Sequence, residues 1–173
     1  EESQLLDRAW TEVRHIDQQL ADLTQHMETV IQKYLRNEFE SIDDYNEQAG
    51  EISEPYRFLV VADFPTNLSE NSAKRLSSII TSGAKCGVHV LMHRDTGQSL
   101  PQGIGEDTLN RFAMRLIEKD SSLCIDEEGM HDLPLTTTPP PSDSTTTVIA
   151  KTVGEIAETT HRVEVPFRMI APK

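Results

Sequence analysis

The amino-acid sequence predicts an α/β fold in which a mainly parallel sheet is flanked by helices. Two apolar runs, residues 58–62 and 88–92, have the length of strands and contain few polar side chains, as is typical of strands that are buried on both faces of a parallel sheet. Between them lies a helical pattern, with Ser69 as a suitable N-cap and Gly83 where a left-handed residue would end the helix. Strand, helix and strand in this order form a βαβ unit, whose two strands run parallel.

One long helix is predicted near the N-terminus, over residues 11–39, with Thr11 as a plausible N-cap. Apolar residues recur there at spacings of three and four, which places them on one face of a helix. The members of this stripe are Val13, Ile16, Leu20, Leu23, Met27, Val30 and Tyr34. Two interpretations remain open, a coiled-coil surface for a partner and a helix packed on the chain's own sheet. The second is favoured because a stripe of about three heptads is marginal as a coiled coil.

The remainder of the chain continues the alternation of helices and strands. The elements expected there are a helix over 108–119, a strand over 122–125, a helix over 148–160 and a strand over 163–167. Three consecutive prolines among Ser and Thr predict that residues 136–147 are an extended, non-helical connection. The predicted organisation is therefore a core of residues 1–135, this connection, and a C-terminal helix and strand within residues 148–173 that complete the module.

The charge of the chain argues against nucleic-acid binding. Its 173 residues have a formal net charge of -13 and a pI near 4.8, and residues 1–54 alone hold 14 acidic and 4 basic side chains. Proteins that bind duplex DNA replace its counterions with clustered Lys and Arg, and the sequence contains no such cluster. We therefore expect no direct DNA binding by this chain.

Cysteine spacing and hydropathy argue against a metal site and against a membrane span. Cys86 and Cys124 have neither a CxxC neighbour nor a histidine at metal-ligand spacing, so no metal site is predicted and two buried free thiols are expected. The longest apolar run is far shorter than a membrane span, and no signal segment opens the chain. No membrane association and a cytoplasmic location are the resulting expectations.

Several short motifs stand in one order around the first predicted strand. Asp44-Tyr45-Asn46 and Pro55-Tyr56 precede the strand, Asp63 follows it, and Gly87-Val88-His89 opens the second strand. In order and spacing these motifs resemble the second half of the ATPase core of FtsK/SpoIIIE-type DNA translocases. The resemblance covers residues 27–95, which is less than half of the chain.

The resemblance implies an incomplete fold of the P-loop NTPase kind, corresponding to the part after the phosphate-binding loop. In that family the first strand ends in Asp-Glu, where the Asp holds Mg²⁺ and the Glu polarises the attacking water. Without gaps, those two positions fall on Ala62 and Asp63; in the alternative alignment they fall on Asp63 and Phe64. Either way one carboxylate is missing, and the chain contains no GxxxxGK[ST] loop to hold phosphates.

The candidate site residues follow from this comparison. Asp63 is the candidate catalytic residue, a degenerate counterpart of the family's acidic pair, and Arg94 and Asp95 after the second strand are candidates for contact with a nucleotide. A solvated charged loop is nevertheless the favoured interpretation of residues 93–96. His89 is expected to be a hydrogen-bonded core histidine.

A structural or regulatory role beside an active DNA-translocase core is the predicted function. The expected partners are a neighbouring ATPase domain or subunits, within an oligomeric parent protein. No cofactor is expected for this chain alone, whereas the parent family uses ATP and Mg²⁺. One alternative is an active ATP-hydrolysing translocase whose phosphate loop lies outside this chain, and another is a coiled-coil interaction module.

Overall fold

The computed structural model describes residues 8–36, 38–50, 53–120, 122–127, 130 and 134–161, without the side chains of residues 157–161. It is mixed α/β and divides into two compact units, one of residues Trp10–Thr136 and one that contains the C-terminal helix. The described helices are α1 (Val13–Val30), α2 (Ile42–Ala49), α3 (Glu70–Ser82), α4 (Glu106–Phe112) and α5 (Asp143–His161). The described strands are β1 (Arg57–Phe64), β2 (Val88–Arg94), β3 (Leu116–Lys119), β4 (Ser122–Ile125) and β5 (Pro134–Leu135).

The predicted βαβ unit is confirmed. Strands β1 and β2 pair in parallel, with Phe58 opposite His89 and Val60 opposite Leu91. Helix α3 connects them and begins at the predicted N-cap, because the Ser69 hydroxyl accepts a hydrogen bond from the backbone N–H of Ser72. The sheet is smaller than expected, since β1 and β2 pair only with each other in the part of the chain that the structure describes.

Helix α1 packs on α3 through its apolar stripe. Leu20, Met27 and Val30 are buried in the same hydrophobic cluster as Leu76 of α3 and Val88 of β2. The helix is followed by a π-helical turn, Ile31–Leu35, and ends at Arg36, whose φ of 38° is left-handed. The buried stripe therefore serves the chain's own core, which favours the second interpretation of the sequence, although α1 packs on helix α3 where the sheet was expected.

A partly buried polar contact joins α1 to the start of α3. The carboxylate of Asp17 accepts hydrogen bonds from the hydroxyls of Ser69, at 2.5 Å, and Ser72. Arg75 lies nearby and donates to Thr24 of α1 at 2.9 Å. These hydroxyl bonds, followed by the charge of Arg75, lower the pKa of Asp17. A negative charge beside a helix N-terminus is stabilising, so this contact sets the position of α1 along α3.

The backbone conformations of the glycines on either side of the 3-10 turn Ala84–Cys86 differ from the prediction. Gly83 is right-handed, with φ of -61°, and the left-handed residue is Gly87, with φ of 72°. Gly83 is required for another reason: a Cβ there would lie 2.7 Å from the carbonyl oxygen of Val88 and closer still to that of Ile79. Close backbone approach, rather than helix termination, therefore explains this glycine.

The prediction of a helix over 108–119 is wrong from residue 113 onward. Helix α4 ends at Phe112, and the chain then enters the antiparallel hairpin of β3 and β4, which β5 extends. Asp120 turns the chain in a left-handed conformation, with φ of 51°. At the open end of the hairpin, Arg115 and Asp126 form an ion pair at 2.8 Å. The strand at 122–125 is confirmed, but it belongs to this separate antiparallel sheet rather than to the parallel one.

Two predicted element boundaries also change. Helix α1 begins after Glu12, with no side-chain cap, instead of after Thr11. Helix α5 begins at Asp143, inside the connection predicted to be non-helical, because the Ser142 hydroxyl accepts from the backbone N–H of Thr145. The prolines at residues 139–141 lie before this cap, so they do not interrupt the helix. The strand predicted over 163–167 lies outside the described residues.

Candidate functional site

The carboxyl ends of β1 and β2 bring the three predicted site residues to one end of the parallel sheet. Phe64 is paired with Arg94, and its carbonyl oxygen accepts a hydrogen bond from the backbone N–H of Asp95 at 2.9 Å. The register is irregular between Val61 and Phe64, which is where Asp63 lies. Ligand sites of open parallel sheets lie outside the carboxyl ends of the strands, so a ligand site of this sheet would be expected at this end.

Asp63 is exposed at this end, beside the exposed Ala62. Its carbonyl oxygen accepts from the backbone N–H of Thr66, which closes the turn after β1. The carbonyl of Ala62 contacts Nδ1 of His93 at 3.0 Å. Phe64, by contrast, has no exposed surface. The alternative alignment would therefore place the water-polarising acid in the hydrophobic core, whereas the ungapped alignment leaves Asp63 as an exposed carboxylate next to an alanine.

Arg94 is already paired in this structure. Its guanidinium donates to both oxygens of Glu106 in α4, with Nη1 at 2.8 Å and Nη2 at 2.5 Å. The same contact raises the pKa of Arg94 and lowers that of Glu106. A bidentate pair of this kind is the arrangement that a guanidinium would otherwise offer to phosphate. A nucleotide would have to displace Glu106 before it could use Arg94.

Asp95 organises the loop that follows β2. Its carboxylate accepts hydrogen bonds from the side-chain amide of Gln98 and from the backbone N–H of Gly97, both at 2.9 Å. These bonds, with that of Gln98 the larger effect, lower the pKa of Asp95. The carboxylate thus closes a turn of its own loop, a role that the sequence interpretation of a solvated charged loop also allows.

The described residues contain no group of three or more His, Cys, Asp or Glu side chains placed to hold a metal ion. Two surface cavities, of about 490 Å³ and 480 Å³, lie away from the strand ends. The first lies between the end of α1 and the 3-10 turn, and the second beside the base of the β3–β4 hairpin. Among the described residues, the strand ends therefore offer the exposed carboxylate of Asp63, the carboxylate of Asp95 held by its own loop, and Arg94, a cation paired with Glu106.

The face of the β1–β2 sheet that points away from α1 and α3 is a feature that sequence reasoning missed. Phe58 is 72% exposed, Val60 64%, Leu91 67% and Tyr56 47%. The ring of His89 lies against Phe58, with centroids 5.5 Å apart, and against Tyr56 at 6.0 Å. His89 is therefore not the core histidine that was expected. These five residues are called the open sheet face below.

The opposite face of the same two strands is covered. Leu59 and Val61 of β1, and Val90 and Met92 of β2, pack against the hydrophobic cluster that holds α1 and α3. The prediction that the strands of residues 58–62 and 88–92 are buried on both faces is therefore wrong for Phe58, Val60 and Leu91. Both faces of the strands are apolar, yet in the unit of residues Trp10–Thr136 the helices α1 and α3 cover only one of them.

Among the residues that the structure describes, no helix combines the length and the apolar character needed to cross a membrane. Comparisons with protein-family models, with curated proteins and with solved structures found no match to this chain.

Proposed function

We propose that this chain is a degenerate FtsK/SpoIIIE-like ATPase module that does not hydrolyse ATP and that braces or regulates a neighbouring, active ATPase core. One observation carries the proposal: at the strand end where such chemistry would take place, the described residues present the exposed carboxylate of Asp63 beside Ala62, so one of the two acids is missing in the ungapped alignment. Phosphoryl transfer needs a metal-holding acid, a residue that orients water, and a phosphate cradle with a cation. Here Ala62 and Asp63 stand at the positions of the acids, and Arg94 is neutralised by Glu106.

Residues within and directly beside the motifs that carry the resemblance contact one another, which supports the proposal. The Tyr56 hydroxyl donates to Asp43 at 2.5 Å, one residue before the Asp44-Tyr45-Asn46 motif. The side chain of Asn46 bonds both the N–H and the carbonyl of Glu54. A Cβ on Gly87 would lie 3.3 Å from the Tyr56 ring, in a left-handed conformation that favours glycine. The motifs that stand in order along the chain thus also lie close together in the fold.

Nucleotide assays on the purified chain test the loss of hydrolysis. We expect neither steady ATP hydrolysis nor magnesium-dependent binding of ATP, because one acid and the phosphate loop are missing. Hydrolysis that disappears in Asp63→Ala and persists in Asp22→Ala, an exposed acid of α1, would contradict the proposal.

The bracing role is tested by adding the chain to a purified ATPase core of the FtsK/SpoIIIE type from the same organism. We expect the chain to bind the core and to change its DNA-stimulated ATPase rate or its assembly into rings. A core whose rate, mass and assembly are all unchanged by an excess of the chain would contradict this role.

The exposure of Asp63 also supports the runner-up, an active translocase whose phosphate loop is supplied from outside this chain. An exposed carboxylate can accept a hydrogen bond from water even when a neighbouring acid is lost. The gene sequence immediately before Glu1 discriminates the two, since an intact GxxxxGK[ST] loop there favours the enzyme. The coiled-coil alternative has less support, because Leu20, Met27 and Val30 of the stripe are used in the chain's own core.

A further inference from the structure

We infer that the surface cavity between the π-helical turn Ile31–Leu35 and the 3-10 turn Ala84–Cys86 binds a small organic anion, a molecule with one acidic group on an apolar body. The cavity has a volume of about 490 Å³, which lies within the roughly 300–1,000 Å³ of ordinary small-molecule sites. At about 30 Å³ for each atom-sized volume of liquid water, it accommodates on the order of 15 non-hydrogen atoms. The inference concerns a separate site and does not depend on the proposed function.

Most of the described lining residues of the cavity are apolar. Leu35 and Cys86 are buried, Phe39 is half-buried, and Ile31 is 48% exposed. Burial raises the pKa of the Cys86 thiol, which donates to the carbonyl oxygen of Met27 at 3.8 Å, so the thiol lines the cavity as a neutral group. An apolar body placed here would remove the surface of Ile31 from water, which favours binding.

The charged lining residues are both cations. Arg36 and Lys85 line the cavity, and none of its described lining residues is acidic, although the chain holds 29 acidic and 16 basic residues. Within the described residues, the guanidinium of Arg36 makes one contact, from Nε to the carbonyl oxygen of Gln32 at 2.7 Å, and the ammonium of Lys85 has no hydrogen-bond or ion-pair partner. The charge of Lys85 opposes the effect of burial on the pKa of Cys86, which places the ammonium near the thiol in the cavity. Two cations without an acid are complementary to a carboxylate.

The backbone that carries Arg36 is unusual for this residue type. Helix α1 runs into the π-helical turn, and Arg36 ends it in a left-handed conformation, with φ of 38° and ψ of 34°. Glycine or asparagine normally takes this conformation at a helix end. Both π-helical turns and strained residues other than glycine concentrate at functional sites. The strain has a reason if the guanidinium must be held at the cavity, where its bond to Gln32 orients it.

Ser82 completes the polar side of the cavity. It is the last residue of α3, and its hydroxyl has no side-chain partner among the described residues, so it can donate to an acidic group. A bare inorganic anion would leave Ile31 and Phe39 uncovered. A neutral apolar molecule would leave Arg36 and Lys85 without a counter-charge. The lining therefore selects a ligand that combines an acidic group with an apolar body.

Calorimetric titration of the full chain with 2-naphthoate tests the inference. Two isosteres, 2-naphthylmethanol and 2-naphthylmethylammonium, keep the apolar body and replace the negative charge by none or by a positive one. Lys85→Gln and Arg36→Gln each remove one exposed cation of the cavity, and Lys74→Gln removes a cation of α3 that pairs with Glu70 instead. The isosteres need wild type alone, so they test the inference even if a variant does not fold. Amide chemical shifts locate the bound ligand.

The expected result is binding of 2-naphthoate to wild type and to Lys74→Gln with equal affinity, and at least fivefold weaker binding to Lys85→Gln and Arg36→Gln. The alcohol should bind at least fivefold more weakly than the acid, and the ammonium should not bind. Shift changes should be concentrated in residues 31–39 and 82–86. Equal binding of acid and alcohol would overturn the inference, as would shift changes confined to residues 56–62 and 88–92. Absence of binding would also overturn it, since a cavity that is filled in the full chain binds nothing.

Discussion

Val88 and Val60 provide a matched pair of truncations in neighbouring strands. Val88 of β2 is 1% exposed, whereas Val60 of β1 is 64% exposed. Replacing each by alanine removes the same atoms and the same preference for a strand, so the difference between the two variants reports burial. The sequence alone predicts that Val60 is buried and that its truncation costs about 2 to 4 kcal/mol. Because Val60 is exposed in the structure, a smaller cost is expected.

The magnitudes follow from transfer free energies of about 0.8 kcal/mol for each buried methylene-sized group. Val88→Ala loses about 1.6 kcal/mol of transfer free energy, and the cavity left in the core raises the cost to roughly 2 to 3 kcal/mol. Val60→Ala loses only the fraction of that transfer free energy that burial supplies, about 0.5 kcal/mol. For a chain of this size, Val88→Ala should lower Tm by about 6 to 10 °C and Val60→Ala by about 2 °C.

Urea or thermal unfolding of the isolated chain, followed by circular dichroism, measures both values. The m-value should be the same in the two variants, which would show that the denatured states are comparable. Equal destabilisation by Val60→Ala and Val88→Ala would mean that the open sheet face is covered within this chain, which would refute the exposure of Val60 on which the reasoning depends.

Three further predictions concern the helix contact, the tight turn and the charge of the chain. Asp17 has a pKa lowered by folding, so its contribution is present above its unfolded pKa, near 4, and lost as pH falls through the lower folded value. Asp17→Asn should therefore cost about 1 to 2 kcal/mol at pH 7 and weaken the acid dependence of urea unfolding, while Asp22→Asn should leave both unchanged. Gly83→Ala should cost about 1 to 3 kcal/mol in the same assay because its Cβ meets backbone, whereas Gly105→Ala, with nothing within 4 Å, should cost less than 1. Duplex DNA should bind only weakly at physiological salt, because the net charge is -13; a micromolar affinity that falls steeply with salt in an anisotropy titration would contradict this.

Local patterns in the sequence predicted those elements whose signals lie close together in the chain. The Ser69 cap, the apolar stripe of α1 and the two apolar runs gave the βαβ unit and its packing helix. The hairpin of β3 and β4 was missed, because a helical spacing over 108–119 gives no sign of the left-handed turn at Asp120. The predicted start of α5 is too late because the prolines at residues 139–141 disfavour a helix, whereas Ser142, which follows them, caps one.

The open sheet face could not be predicted from the strands themselves. An apolar run such as residues 58–62 shows that both faces suit burial, but it does not show what covers them. That depends on how many helices lie on each face, and α1 and α3 lie on the same one. At the strand ends, the positions of Asp63, Arg94 and Asp95 followed from the βαβ unit. The pairing of Arg94 with Glu106 did not, because it joins residues 12 apart through a loop of irregular structure.

Hydrogen exchange of the chain, free and mixed with an FtsK/SpoIIIE-type ATPase core, tests the proposed bracing role most directly. Backbone amides that become buried or hydrogen-bonded on binding exchange more slowly. The proposal predicts added protection in at least one of the described elements when the core is in excess. Exchange that the core leaves unchanged along the whole chain would contradict the proposal.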